Sequence, residues 1–123
     1  MKKKKIIAVD FDGTIAFSYN YPGELKEIRV VTDYLRRKMA EGESTIILYT
    51  CRNDRDLQIA LDFCKQIGLK FDYVNENTKE KIAQYGDTRK IYADVYIDDH
   101  AIFPVESQIA YLVQMDLIES LYG

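Results

Sequence analysis

Four short apolar runs constrain this chain more than any other feature: Ile6-Ile7-Ala8-Val9, Thr45-Ile46-Ile47-Leu48-Tyr49, Phe71-Asp72-Tyr73-Val74 and Asp94-Val95-Tyr96-Ile97. They are short and rich in β-branched and aromatic residues, and they read as strands rather than buried helices. The segments between them repeat with helical spacing. Leu25, Ile28, Val31, Leu35 and Met39 precede a capping Gly42, and Leu57, Ala60, Leu61, Cys64 and Ile67 precede Gly68, with Asn53 or Asp54 at the N-cap. Thr78 to Tyr85 predicts two further turns, and Ile109, Leu112, Val113, Leu117 and Leu121 predict a final helix. Phe17 to Pro22, rich in tyrosine and turn formers, reads as a loop. Strands alternating with helices imply an α/β fold: a three-layer, Rossmann-like parallel sheet of about four strands in the order 4-1-2-3, with helices on both faces.

In such sheets a site forms beyond the carboxyl ends of the strands. Each apolar run here ends in a polar cluster: Asp10-Phe11-Asp12-Gly13-Thr14, Thr50-Cys51-Arg52, Asn75-Glu76-Asn77 and Asp98-Asp99. In an extended strand residues i and i+2 share a side, so Asp10 and Asp12 are expected to project together, with Gly13 turning the backbone and Thr14 adding a hydroxyl. Alone, each motif has an ordinary structural reading: a turn for the first, a helix cap for Asp98-Asp99, a common strand end for Thr50. Their joint order is what carries chemistry. Asp10, Asp12, Asp98 and Asp99 gather more negative charge than one lysine or the loop amides offset, and a hard divalent cation with oxygen ligands, Mg²⁺, is the simplest remedy. Phosphoryl transfer is the reaction class that most needs such a cation beside an anionic substrate.

Composition narrows the setting. At 123 residues, with 47% hydrophobic and 30% charged residues, the chain fits one globular domain spanning 1–123. A net charge of −3 argues against general nucleic-acid binding. The Lys2–Lys5 run precedes too few apolar residues for a signal peptide, and no run approaches a membrane span. Cys51 and Cys64 have neither disulfide-framework nor metal-ligand spacing, which fits a cytoplasmic protein. His100, the single histidine, has no partners for cysteine catalysis and reads as a surface or supporting residue. Tyrosines within strands, such as Tyr49, Tyr73 and Tyr96, read as packing, whereas Tyr19 and Tyr21 lie where a substrate could touch them.

Asp-x-Asp-Gly-Thr after the first strand and Asp-Asp after a late one resemble the first and last motifs of the haloacid dehalogenase (HAD) superfamily, and the motifs run in that family's order from Asp10 to Asp99. The resemblance implies a Mg²⁺-dependent phosphatase working through an aspartyl-phosphate. It makes Asp10 the nucleophile and a metal ligand, and Asp12 the general acid/base with its carbonyl on the metal. It makes Thr50 the hydroxyl on the phosphoryl group, Asp98 the late metal ligand and Asp99 a supporting acid. Lys90, eight residues before Asp98, matches the phosphate-binding lysine best, with Lys79 and Lys81 as alternatives. Gly13, Thr14, Cys51, Arg52 and Asn75 would line the substrate pocket. The interval between Thr14 and Thr50 holds no inserted cap domain, so the chain resembles the capless type. Two other readings compete: a receiver-like phosphoacceptor domain, whose acceptor would follow the third strand where Asn75 stands here, and an inactive HAD scaffold used for binding. The substrate is expected to be a small phosphorylated molecule. An uncapped site also predicts a homo-oligomer, with the tyrosine-rich loop near the interface.

Overall fold

The computed structural model describes residues 3–123; Lys2, at the start of the basic run, lies outside them. Its main sheet has four strands, β1 (Lys5–Val9), β4 (Ser44–Leu48), β5 (Tyr73–Val74) and β6 (Val95–Ile97), in the order β5-β4-β1-β6 with every pair parallel. This is the expected order, and the helices α1 (Arg29–Glu41), α2 (Asp54–Gln66), α3 (Lys79–Tyr85) and α4 (Val105–Tyr122) flank both faces. Ile7 pairs in register with Ile46 and Val9 with Leu48, so these four side chains share one face and pack with Leu35 of α1, Cys64 of α2 and Ile109 of α4. Ile6, Ala8 and Ile47 point the other way, onto Tyr73 and Tyr92. There α3 is tied down through Lys81, whose ammonium sits 4.1 Å from the centre of the Tyr92 ring. At the strand entrances, Asp94 and Asp72 accept the Ile6 and Ile46 N–H groups at 2.8 Å, satisfying donors at the point where pairing begins.

The segment after β1 departs from expectation. Phe17 to Pro22 is not a loop, because β2 (Ala16–Asn20) and β3 (Gly23–Glu27) form an antiparallel hairpin that pairs Phe17 with Lys26 and Ser18 with Leu25. Leu25 therefore belongs to a strand, Ile28 is the N-cap, and α1 starts at Arg29. The 3–4 spacing of Leu25, Ile28 and Val31 misleads because alternating strand residues and the first helical turn happen to fall on the same positions. Boundaries elsewhere move by a residue or two, with β5 reduced to Tyr73–Val74. The last helix shows a larger difference. Ile109 and Leu112 are buried, but Val113, Leu117 and Leu121, expected on the same face, are exposed. No helix among the described residues is long and apolar enough to cross a membrane.

Candidate active site

β1 and β6 are neighbours, so the acids that follow them meet. The chain leaves β1 with the Asp10 N–H donating to Ile97 O at 2.9 Å, which carries the β1–β6 pairing up to the turn. Buried Thr14 joins the two motifs: its hydroxyl oxygen lies 3.2 Å from Asp10 Oδ2 and 3.2 Å from Asp99 Oδ1, and it accepts the Asp99 N–H at 2.9 Å. The single hydroxyl proton serves one carboxylate at a time. Gly13, at φ +79°, sits against the Asp99 carboxylate so closely that any Cβ would run into Oδ2. Burial pushes the Asp10 carboxyl up to about 7, reinforced by a hydrogen bond with the Asp99 carboxyl and by the charges of Asp98 and Asp99.

Asp98 is fixed from three directions. The Tyr49 hydroxyl donates to Oδ2 at 2.8 Å, the His100 N–H donates to Oδ1 at 2.9 Å, and Gln108 of α4 brackets the backbone, accepting the Asp98 N–H and donating to its carbonyl. Burial, followed by the bond to Asp98, raises the Tyr49 phenol well above its ordinary range, so it stays a donor. Tyr49 and Gln108 were not legible as site residues. Tyr49 is an aromatic in an apolar run, and Gln108 lies ten residues from the motif it supports.

Asp12 does not join the acidic group. Arg52 holds it in a two-pronged pair, Nε to Oδ2 and Nη2 to Oδ1, both at 2.7 Å. The Arg52 side chain is 1% exposed and Asp12 39% exposed. The guanidinium lies between the Phe11 ring at 5.0 Å and the Tyr21 ring at 4.5 Å, and Nη1 donates to the carbonyls of Pro22 and Asp56. The expectation of four uncompensated acids is thereby corrected: the sequence-based count gave Arg52 a pocket-lining place and overlooked it as the counter-charge to one of them.

On the β4 side, the Thr50 hydroxyl accepts the Arg52 N–H at 3.1 Å, while the Thr50 N–H donates to Asn75 Oδ1 at 2.8 Å. Asn75, in the left-handed region at φ +53°, thus links the ends of β4 and β5. Cys51 is exposed at this edge. The lysines separate. Lys79 lines a cleft with Ile6, Thr45 and Asp72 at the amino ends of the strands, and Lys81 is stacked on Tyr92. Lys90 is exposed, with Nζ 5.9 Å from the centre of the Tyr96 ring, which packs edge-on against Tyr49. None of the three forms an ion pair with a rim carboxylate among the described residues.

The donor set suits a divalent cation. Asp98, Asp99 and His100 each offer a ligand atom within 4.8 Å of the others, although His100 is largely exposed, and the upward shift of Asp10, due first to burial and then to the neighbouring acids, is one that a cation would oppose. No family model matches the chain, and no curated protein matches it. A solved structure of a conserved protein from Bacteroides thetaiotaomicron is similar over 98% of this chain and 99% of its own, with 29% sequence identity and a TM-score of 0.72. The core sheet and its acidic rim are HAD-like. That likeness extends to architecture and to a metal-binding or catalytic centre of the general phosphoryl-transfer kind.

Proposed function

We propose that the chain is a Mg²⁺-dependent phosphomonoester hydrolase of the cytoplasm that works through an aspartyl-phosphate on Asp10. The observation that carries this reading is the meeting of Asp10 with Asp98 and Asp99 at the carboxyl ends of adjacent parallel strands, where burial first, then the hydrogen bond with Asp99 and the charges of both neighbours, raise Asp10 to about 7. Asp10, Asp98 and the Asp12 carbonyl would hold the cation, with Asp99 in support; when bound, it supplies shielding between a carboxylate nucleophile and an anionic phosphoryl group. In the first half-reaction an Asp10 oxygen forms a bond to phosphorus as the ester oxygen leaves with its bonding pair and takes up a proton. Water then attacks phosphorus, gives up a proton, and frees the Asp10 carboxylate. The HAD resemblance gives Asp12 the task of moving those protons, and to do so one of its oxygens leaves Arg52. The Thr50 hydroxyl keeps its own proton for a phosphoryl oxygen, and Lys90 reaches the phosphate from the Tyr96–Tyr49 pair that leads to Asp98.

A second reading rests on the Arg52 pair. With both Asp12 oxygens engaged, the rim is also suited to a scaffold that binds phosphate without turning it over. Hydrolysis of p-nitrophenyl phosphate, titrated with Mg²⁺ and repeated in excess chelator, separates the two. Turnover that needs both Mg²⁺ and Asp10 supports the hydrolase; phosphate binding without turnover supports the scaffold; unchanged turnover in Asp10→Asn removes Asp10 as nucleophile.

A further inference from the structure

Helix α4 is apolar around its circumference, yet the fold covers only one side of it. Val105, Ile109 and Leu112 face the core, while Tyr111 (62% exposed), Val113, Leu117 (58%), Ile118, Leu121 (66%) and Tyr122 form a continuous outer band. A surface helix ordinarily turns charge outward. Here the helix's later acids lie off the outer band: Asp116 is drawn inward, accepting from the Tyr34 hydroxyl at 2.9 Å and the Lys38 ammonium at 3.1 Å, and the half-exposed Glu119 pairs with Lys5 at 3.2 Å. The third acid, Glu106, lies in the first turn. The outer band is left with no charge along its centre, the pattern of an interface core.

We infer that this face joins two copies of the chain through antiparallel α4–α4 packing. Ala110, Gln114, Leu117 and Leu121 follow the 4-3-4 spacing of a helix-pairing seam, so the expected partner is another helix. The one polar group in the seam is an amide, which both donates and accepts. A two-fold axis at Gln114 brings it against its own copy and sets Tyr111 opposite Leu117 and Ala110 opposite Ile118, the second pair matching large against small. With ~150–250 Å² for each aromatic and less for each aliphatic side chain, the exposed fractions sum to roughly 600 Å², the low end of what one partner buries in a specific interface. An anionic membrane surface fits poorly, since α4 carries no Lys or Arg.

Sedimentation velocity over about 1–100 µM tests this. The expected result is a dimer of the 14.3 kDa chain. Leu117→Glu with Leu121→Glu should weaken association at least about 100-fold, and the isosteric Gln114→Glu, which sets like charges face to face, at least about tenfold at neutral pH. Circular dichroism confirms that the variants stay folded, and should the double variant unfold, Gln114→Glu decides. Tyr19→Ser, on the hairpin, should leave the dimer unchanged. A monomer throughout overturns the inference and assigns the face to a different protein; a dimer that Tyr19→Ser weakens, or that the α4 substitutions do not weaken, overturns it equally.

Discussion

On the β6 side of the rim, Asp10, Asp98 and Asp99 are held by hydroxyls and backbone N–H groups, with no Lys or Arg paired to them among the described residues. On the β4 side, Asp12 is clasped by a guanidinium that two aromatic rings enclose and two carbonyls bind from behind. These acids lie within one rim, and Asp10 and Asp12 are two residues apart in sequence, yet their energetics are opposite. The first group gathers unfavourable charge that a proton or a bound cation relieves. The second is complete without one, and its Pro22 and Tyr21 contacts fasten the β2–β3 hairpin to the core. Metal binding and the nucleophile are therefore expected to concentrate on the β6 side, whereas Asp12 on the β4 side carries stability in addition to its proposed proton transfer.

The largest effect that would break this contrast is in activity. Asp10→Asn keeps the shape and removes the nucleophile, so turnover of an aryl phosphate should fall by about 10³-fold or more while the protein stays folded. A loss that tracked unfolding, followed by circular dichroism under assay conditions, would mean that Asp10 acts through the fold and not as the nucleophile.

Asp12→Asn should cost stability as well as turnover. It leaves a guanidinium that is 1% exposed facing a neutral amide. Breaking a buried pair costs about 3–5 kcal/mol. The partial exposure of Asp12 and the two remaining carbonyl acceptors reduce that to about 2–3 kcal/mol, readable as a lower urea midpoint. A variant as stable as the parent would show that the pair does not hold the hairpin.

How much of this was legible depends on the range of the interaction. The parallel order and the meeting of Asp10 with Asp99 follow from alternation and from strand ends, which are local patterns. The hairpin was missed because its residues fall at spacings that a helix shares, and because Ser18 and Leu25 reveal themselves only as a pair. The Arg52–Asp12 clasp spans 40 residues, and nothing local to Arg52 separates a buried counter-ion from a substrate contact. The exposure of the outer face of α4 was not legible for a related reason. Leu117 and Leu121 have the composition of a buried face, and sequence periodicity does not say which molecule covers it.

A smaller effect should appear in the pH dependence of metal-free stability. The fold raises Asp10 from 3.8 to about 7, so between those values the folded chain holds a proton that the unfolded chain releases. The contribution is fully present below about pH 4 and is lost as pH rises through about 7, the opposite of a paired carboxylate. Three units would amount to about 4 kcal/mol, and solvent screening at this partly exposed rim reduces it to the order of 2 kcal/mol. Subtracting the Asp10→Asn profile from that of the parent isolates the term, and saturating Mg²⁺ should flatten the difference. A difference independent of pH would mean that the acids are not crowded in solution.

The smallest expected effect concerns His100, which lies beside the acids without sharing their burial. Its Nε2 is 3.7 Å from Asp99 Oδ2 and its side chain is 90% exposed. Mg²⁺ prefers oxygen ligands, whereas an imidazole nitrogen suits Zn²⁺ and other transition metals better. If the cation sits among Asp10, Asp98 and Asp99, His100→Ala should change the Mg²⁺ concentration for half-maximal activity by no more than about threefold, and it should weaken Zn²⁺ binding more than Mg²⁺ binding. Isothermal titration of both metals into the parent and the variant makes the comparison without relying on turnover. A tenfold or greater loss of Mg²⁺ affinity would put the cation on the outer Asp98–Asp99–His100 edge, beyond the reach of Asp10. The acids of the β6 side would then serve metal binding alone, and the division of the rim would have to be redrawn around Asp99.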